Sequence, residues 1–253
     1  PFFLYFPLPS PHAPIIPNEE FVGKSGAGAY GDFVHQSDWV AGQVLQALED
    51  KGLAENTLVI FTADNGPEKY AFERAENYGH FSMGELRGLK RDVWEGGHHV
   101  PFIIKWPGRV PDHSVSNEVI SQVDIMATIA AVTGSDLPQD SAPDSYDFLA
   151  VSEGASLLTP LREATVHNTN ADTWGLRQGK WLFINQPDGE HSKMPDSFKA
   201  LRGYEDFDTD VLLFDLEADL GQRKNLSDKY PDRIATMAAL LQEYRDQGYS
   251  VKR

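Results

Sequence analysis

The chain has no cysteine, which removes disulfides, thiolate metal sites and a cysteine nucleophile together. It is also short of basic residues: 22 Lys and Arg face 38 Asp and Glu, a formal charge of -16. A surface of that sign repels phosphate backbones and anionic headgroups, so neither a nucleic acid nor a membrane is expected as the main partner. No run approaches the roughly 18 apolar residues of a membrane helix. The opening residues Pro1-Phe-Phe-Leu-Tyr-Phe-Pro7 lack the basic region and small-residue cleavage site of a signal peptide. They read as an interior strand, and the expectation is a chain that begins in the middle of a larger protein. No internal repeat is visible. The remainder is 41% hydrophobic and 24% charged over 253 residues, the composition of a globular chain able to bury a core without staples.

The organising stretch is Thr57–Gly66, Thr-Leu-Val-Ile-Phe-Thr-Ala-Asp-Asn-Gly. Its continuous apolar residues 58–61 suit a strand buried on both faces, as in a parallel sheet covered by helices. Asp64 and Asn65 then emerge at the carboxyl end, where open α/β sheets bind ligands, and both are hard oxygen donors suited to calcium or magnesium. A tight Asn-Gly turn is the competing reading, weakened because Pro67-Glu68-Lys69 does not begin an alternating strand. Phe2–Phe6 reads as a second buried strand, closed by Pro7 and a proline-rich loop that carries His12. Between them, Gly31–Lys51 has Val40, Ala41, Val44, Leu45 and Leu48 at helical spacing, with Gly52 placed as its cap. The order strand, loop, helix, strand is that of a doubly wound α/β fold, which puts His12 and Asp64-Asn65 on one rim.

Residues 67–89 read as a polar loop too long to be a plain connector, bringing Tyr78, His80, Arg87 and Lys90 to its tip. Gly96-Gly97 implies close backbone approach before a strand over Val100–Trp106. Val119–Thr133 reads as an amphipathic helix stopped by Gly134, and Ser135–Glu163 as a crossing segment that contains a boundary. Beyond it lie three expected strands, Thr173–Arg177, Lys180–Asn185 and Val211–Asp215, the first two joined at Gln178-Gly179. A helix over Pro231–Tyr244 follows. Asn225-Leu-Ser227 is the only glycosylation sequon, a pattern of low specificity.

Ser10-Pro-His-Ala-Pro14, Asn56–Gly66 and Leu86-Arg-Gly-Leu-Lys-Arg-Asp-Val-Trp-Glu-Gly-Gly-His-His-Val-Pro101 together resemble the sulfatases of the alkaline-phosphatase-like superfamily. Gln122–Thr128, Leu213–Leu216 and Asn225-Leu226 extend the resemblance through most of the chain. It implies an α/β fold: part of a mixed sheet flanked by helices over 1–163, then a small α+β subdomain over 164–253. It makes Asp64 and Asn65 ligands of a divalent cation, usually calcium, that holds the sulfate group of a sulfate-ester substrate. Lys90 would contact a sulfate oxygen and His12 the leaving-group side, roles in which a cationic or hydrogen-bonding group stabilises developing charge. His80, Arg87 and Trp94, which flank Lys90, are expected near the pocket mouth, selecting the alcohol part of a sulfated sugar. A periplasmic or secreted location fits the resemblance.

The departures are equally specific. Family members make a formylglycine from Cys or Ser in a Cys/Ser-x-Pro-Ser/Ala-x-Arg motif, and no such motif occurs here; Ser141-Ala-Pro-Asp-Ser-Tyr146 lacks its last letters. The family's paired acidic ligands and a further Lys and His are also missing, so the formylglycine and the rest of the cation site are expected in a missing amino-terminal half. His99 stands where many relatives have Arg. The chain by itself is therefore expected to be inactive, and two alternatives stay open: a phosphodiesterase or phosphonate hydrolase of the same superfamily, and a non-catalytic anion- or sugar-binding module.

Overall fold

A computed structural model describes residues 1–169 and 172–251. The chain divides into two compact units, Pro1–Leu58 with Lys69–Ser82, and Val59–Glu68 with Met83–Arg253. Among the described residues no helix is long and apolar enough to cross a membrane.

The first unit is built on helix α1, Gly28–Asp50. Its expected apolar stripe is present but half-buried, and the helix ends where glycine predicts. Gly52 takes a left-handed φ of 65°, and the Leu53 amide reaches back to the Leu48 carbonyl at 2.9 Å. Asp32, buried on the first turns, accepts hydrogen bonds from the Gly23 and Ser25 amides at 2.8 Å and so fixes the incoming loop. The stretch expected as a loop after residue 67 instead contains helix α2, Ala71–Tyr78, closed by Gly79 in the left-handed conformation. Only Ala71, Phe72 and Ala75 supply apolar burial among charged neighbours, and Arg74 shares their face, so the periodicity was masked. Phe2–Phe6 is not a strand here. Its side chains are 54–78% exposed, because no described segment lends it a ladder of hydrogen bonds.

The second unit begins with strand β1, Val59–Thr62, antiparallel to β2, Phe102–Lys105, with Val59 opposite Lys105 and Thr62 opposite Phe102. Burial on both faces does not hold: Phe61 and Ile103 are exposed, since a two-stranded ribbon has no further strand or covering helix on that side among the described residues. Helix α3, Ile125–Thr133, starts later than its apolar pattern because Ser121 and Asp124 form a reciprocal capping box on the preceding turn; Gly134 stops it. The crossing segment carries a single helical turn, α4, Leu149–Ser152.

The rest of this unit is a four-stranded antiparallel meander in sequence order: β3 Thr165–Asn168, β4 Trp174–Gln178, β5 Trp181–Ile184 and β6 Leu212–Asp215. Strand β3 is additional to the three expected, and the β4–β5 turn is Gly179-Lys180, with Gly179 at φ 57°. Two further helices, α5 Asp196–Arg202 and α6 Pro231–Gln247, complete it. Alternation along the strands separates two cores. Leu176, Phe183 and Leu213 pack on Met237 and Leu241 of α6. Leu182, Ile184, Leu212 and Phe214 point the other way, onto Val93 and Trp94. The sheet is thus covered on both faces, by a helix and by the glycine-rich loop that precedes β2.

Candidate functional site

In the second unit the loop after β1 is held from two sides. The Gly66 amide donates to the Gly97 carbonyl at 2.9 Å, and Gln122 donates to the Ala63 carbonyl. A Cβ on Gly66 would overlap the Gly96 carbonyl, so this close approach requires glycine. Asn65 donates its amide to the Gly66 carbonyl at 2.8 Å, which leaves its oxygen without a partner among the described residues. The Asp64 carboxylate is exposed and makes no ion pair among them. An exposed carboxylate and an amide oxygen with no partner among the described residues thus share a constrained turn, which is a chemically suitable part of a calcium site. Such an ion takes about 6 to 8 oxygens, and no group of three or more acidic or histidine side chains among the described residues could hold one.

The same turn reaches the lysine. The Lys90 amide donates to the Pro67 carbonyl at 2.9 Å, and Arg91 beside it is neutralised by Glu68 at 2.6 Å. Lys90 itself is half-buried and has no carboxylate partner among the described residues. Its loop is closed by the Gly96 amide on the Arg87 carbonyl at 2.7 Å, by Asp92 on the Leu89 amide at 2.7 Å, and by Gly88 at φ 87°.

Arg87 and Trp94 sit inside this scaffold rather than at a rim. Trp94 is 0% exposed, edge-on to Phe214 at 5.6 Å between ring centroids. The Arg87 guanidinium lies 4.1 Å from the Trp94 ring, also faces Tyr204, and donates to the Gln222 carbonyl at 3.1 Å. Burial pulls its pKa below the usual value. Both residues are drawn inward because the meander needs an apolar cover and the delocalised guanidinium stacks on aromatic faces.

Sequence reasoning missed a buried polar cluster on the same loop. Glu95, fully buried, accepts from His99 at 2.9 Å and from Arg177 of β4 at 3.1 Å. Burial alone would raise its pKa; the His99 hydrogen bond and neighbouring positive charge outweigh that and hold it at about 2. At the position where many relatives have Arg, His99 thus supplies a hydrogen bond to this carboxylate. His98 and His167 of β3 stack at 3.8 Å and both point Nε2 at the Val93 carbonyl. Burial pushes His167 down to about 3 and His98 in the same direction. The adjacent His98-His99 pair was the available signal.

In the first unit, His12 is exposed, with Nδ1 donating to the Ala13 carbonyl at 2.6 Å, and Nε2 has no partner among the described residues. His80 lines a cleft of about 640 Å³ with Tyr30, Tyr78 and Ser82.

Comparison with known proteins gives these features a context. The family model described as Sulfatase matches residues 1–135, more than half of the chain. The N-acetylgalactosamine-6-O-sulfatase of Bacteroides thetaiotaomicron is 34% identical over 251 residues, 97% of this chain and 47% of that protein. A solved structure from work on glycosaminoglycan metabolism by the same bacterium has a TM-score of 0.80 at 33% identity, covering 97% of this chain and 50% of that one. The phosphonate monoester hydrolase of Agrobacterium radiobacter shares the fold alone, with a TM-score of 0.58 at 18% identity over 87% of this chain and 41% of that one. The chain spans about half the length of the relatives it matches along its whole extent. With a mixed α/β architecture of the alkaline-phosphatase-like kind and a family match over its first 135 residues, the chain belongs to the sulfatase family.

Proposed function

We propose that the whole protein hydrolyses sulfate esters of a sugar or aryl alcohol, and that this chain supplies one side of the sulfate site. The observation that carries the reading is Lys90. In a chain of net charge -16, a half-buried ammonium would ordinarily find a carboxylate; here the carboxylate goes to Arg91, and Lys90 keeps its charge for an anion. Its backbone tether to Pro67 links it to the Asp64-Asn65 turn, the proposed share of a calcium site. A calcium ion there would neutralise charge on the sulfate oxygens. Lys90 would stabilise the same oxygens by a charge-assisted hydrogen bond, and Nε2 of His12 would hold or deliver a proton at the departing oxygen.

The nucleophile is proposed to lie outside these 253 residues, as a formylglycine, since no residue here stands in the required motif. The chain alone should then be inactive, because charge stabilisation without the nucleophile leaves only a small residue of the full rate enhancement. The test uses the full-length protein with p-nitrophenyl sulfate, sulfated sugars, and the corresponding phosphate and phosphonate esters. Sulfate turnover that falls roughly 100- to 1,000-fold in Lys90→Ala is expected, the scale of losing one charge-stabilising donor. Faster turnover of the phosphorus esters would move the assignment to the phosphoryl branch of the superfamily.

A further inference from the structure

Two residues beyond Lys90 stands Asp92, only 5% exposed, and among the described residues its carboxylate forms an ion pair with neither Lys90 nor Arg91. Backbone amides take both of its oxygens instead. Oδ2 accepts from the Leu89 amide at 2.7 Å, while Oδ1 accepts from the His191 and Ser192 amides at 2.7 and 2.8 Å, 99 and 100 residues further along the chain. Three amide donors satisfy a buried carboxylate without any cationic side chain.

These bonds define the turn that carries the lysine. The Asp92 amide also donates to the Leu89 carbonyl at 2.8 Å, so residue 92 holds both polar groups of the Leu89 backbone and leaves Lys90 and Arg91 as the two central residues of a four-residue turn. One step on, the Val93 amide donates to the Gly189 carbonyl at 2.9 Å. The turn is therefore docked at two successive residues on the segment 189–192, which follows β5. Were its oxygens free, a carboxylate this near Lys90 would compete with an anionic substrate for the ammonium. The amides remove that competitor.

We propose that Asp92 is a positioning residue of the sulfate site: it sets the Lys90 turn against the 189–192 segment and, with its own oxygens filled by amides, leaves the ammonium to the anion of the substrate. It acts through the lysine and touches no reacting atom. The proposal rests on the reading of Lys90 as a sulfate contact, and it makes the placement of that contact depend on chain a hundred residues away.

A double-mutant cycle on the full-length protein tests it, with kcat/KM measured on the ester that is turned over fastest and normalised to folded protein. Asparagine has nearly the shape of aspartate but a single oxygen, so in Asp92→Asn an NH2 group must face either the Leu89 amide or the His191 and Ser192 amides. One tie breaks. With Lys90 present, Asp92→Asn should lower kcat/KM about 10- to 100-fold, the scale of a contact displaced by about an ångström. In the Lys90→Ala background the same change should lower it less than about 2-fold, because there is no ammonium left to misplace. A purely structural loss would instead multiply both backgrounds by one factor. Asp92→Ala strips all three bonds and risks the fold, so it serves as the second variant, checked by circular dichroism, and should show the same dependence on Lys90. Equal factors on the two backgrounds, or no loss in Asp92→Asn, would overturn the positioning role and leave the reading of Lys90 standing. Lys90→Ala without effect on any ester would overturn that reading, and the positioning role with it.

Discussion

Replacing Trp94 with alanine separates a core role from a substrate-selecting one. The indole is fully buried among Leu182, Ile184, Leu212 and Phe214, on the face of the meander opposite α6. Truncating such a ring costs about 3 to 5 kcal/mol, from lost transfer energy and the cavity left behind. The stacked Arg87 guanidinium also loses its ring partner at 4.1 Å, which adds about 1 kcal/mol or more in a desolvated setting. For a domain of this size each kcal/mol moves the melting temperature by roughly 2 to 4 °C, so the variant should melt about 8 to 24 °C lower. Trp94→Phe keeps most of the apolar volume and should recover more than half of the loss. The assays are urea unfolding followed by circular dichroism, and kinetics normalised to folded protein. If Trp94→Phe kept its stability while kcat/KM fell selectively for one sulfated sugar, the ring would have to reach substrate and the burial argument would be refuted.

Arg162→Met should destabilise by about 3 to 5 kcal/mol, because it strands the completely buried Asp124 carboxylate that Arg162 contacts; adding Asp124→Asn should recover part of this in denaturant unfolding. Stability should fall in acid in two stages. His167, held near 3 against an ordinary 6.5, withdraws stability as pH drops through that window, and Glu95, held near 2 against 4.5, does so below pH 4.5. His167→Gln should therefore flatten the curve between pH 6.5 and 4.5 in urea titrations, and an unchanged slope there would refute the assignment. Asn225 should carry no glycan, even where glycosylation is available. Its amide nitrogen already donates to Thr209 and Ser227 at 2.9 Å and its oxygen accepts from the Leu213 amide, so intact mass measurement should show the bare protein.

Much of the architecture was legible in the residues themselves. Helix α1, its end at Gly52, α6 and the stop at Gly134 all follow from helical spacing and a glycine that can take positive φ. Close approach at Gly96-Gly97 was legible for the same reason. Strand β3 was not, because Thr-Val-His-Asn is four residues long and mostly polar. The run Phe2–Phe6 says that burial is wanted without saying what would provide it. Arg87, Lys90 and Trp94 were grouped by their nearness in sequence, but the loop turns two of them into the interior and leaves the third on the outer side. Facing is set by Gly88 and by the apolar needs of strands some 90 to 120 residues later, which no local pattern contains.

Trp94 sits four residues from Lys90, and the meander that encloses it is assembled from Thr165 to Asp215. The lysine's backbone is thereby clamped at one end by the Pro67 carbonyl and at the other by a ring locked in a distant sheet. Only its own side-chain torsions remain to be ordered when an anion arrives, on the order of 2 kcal/mol of rotamer entropy in place of that of an entire loop. A frameshift or stop codon between Trp94 and Leu216 would then act at a distance, leaving every proposed sulfate-site residue in the polypeptide while setting Lys90 adrift.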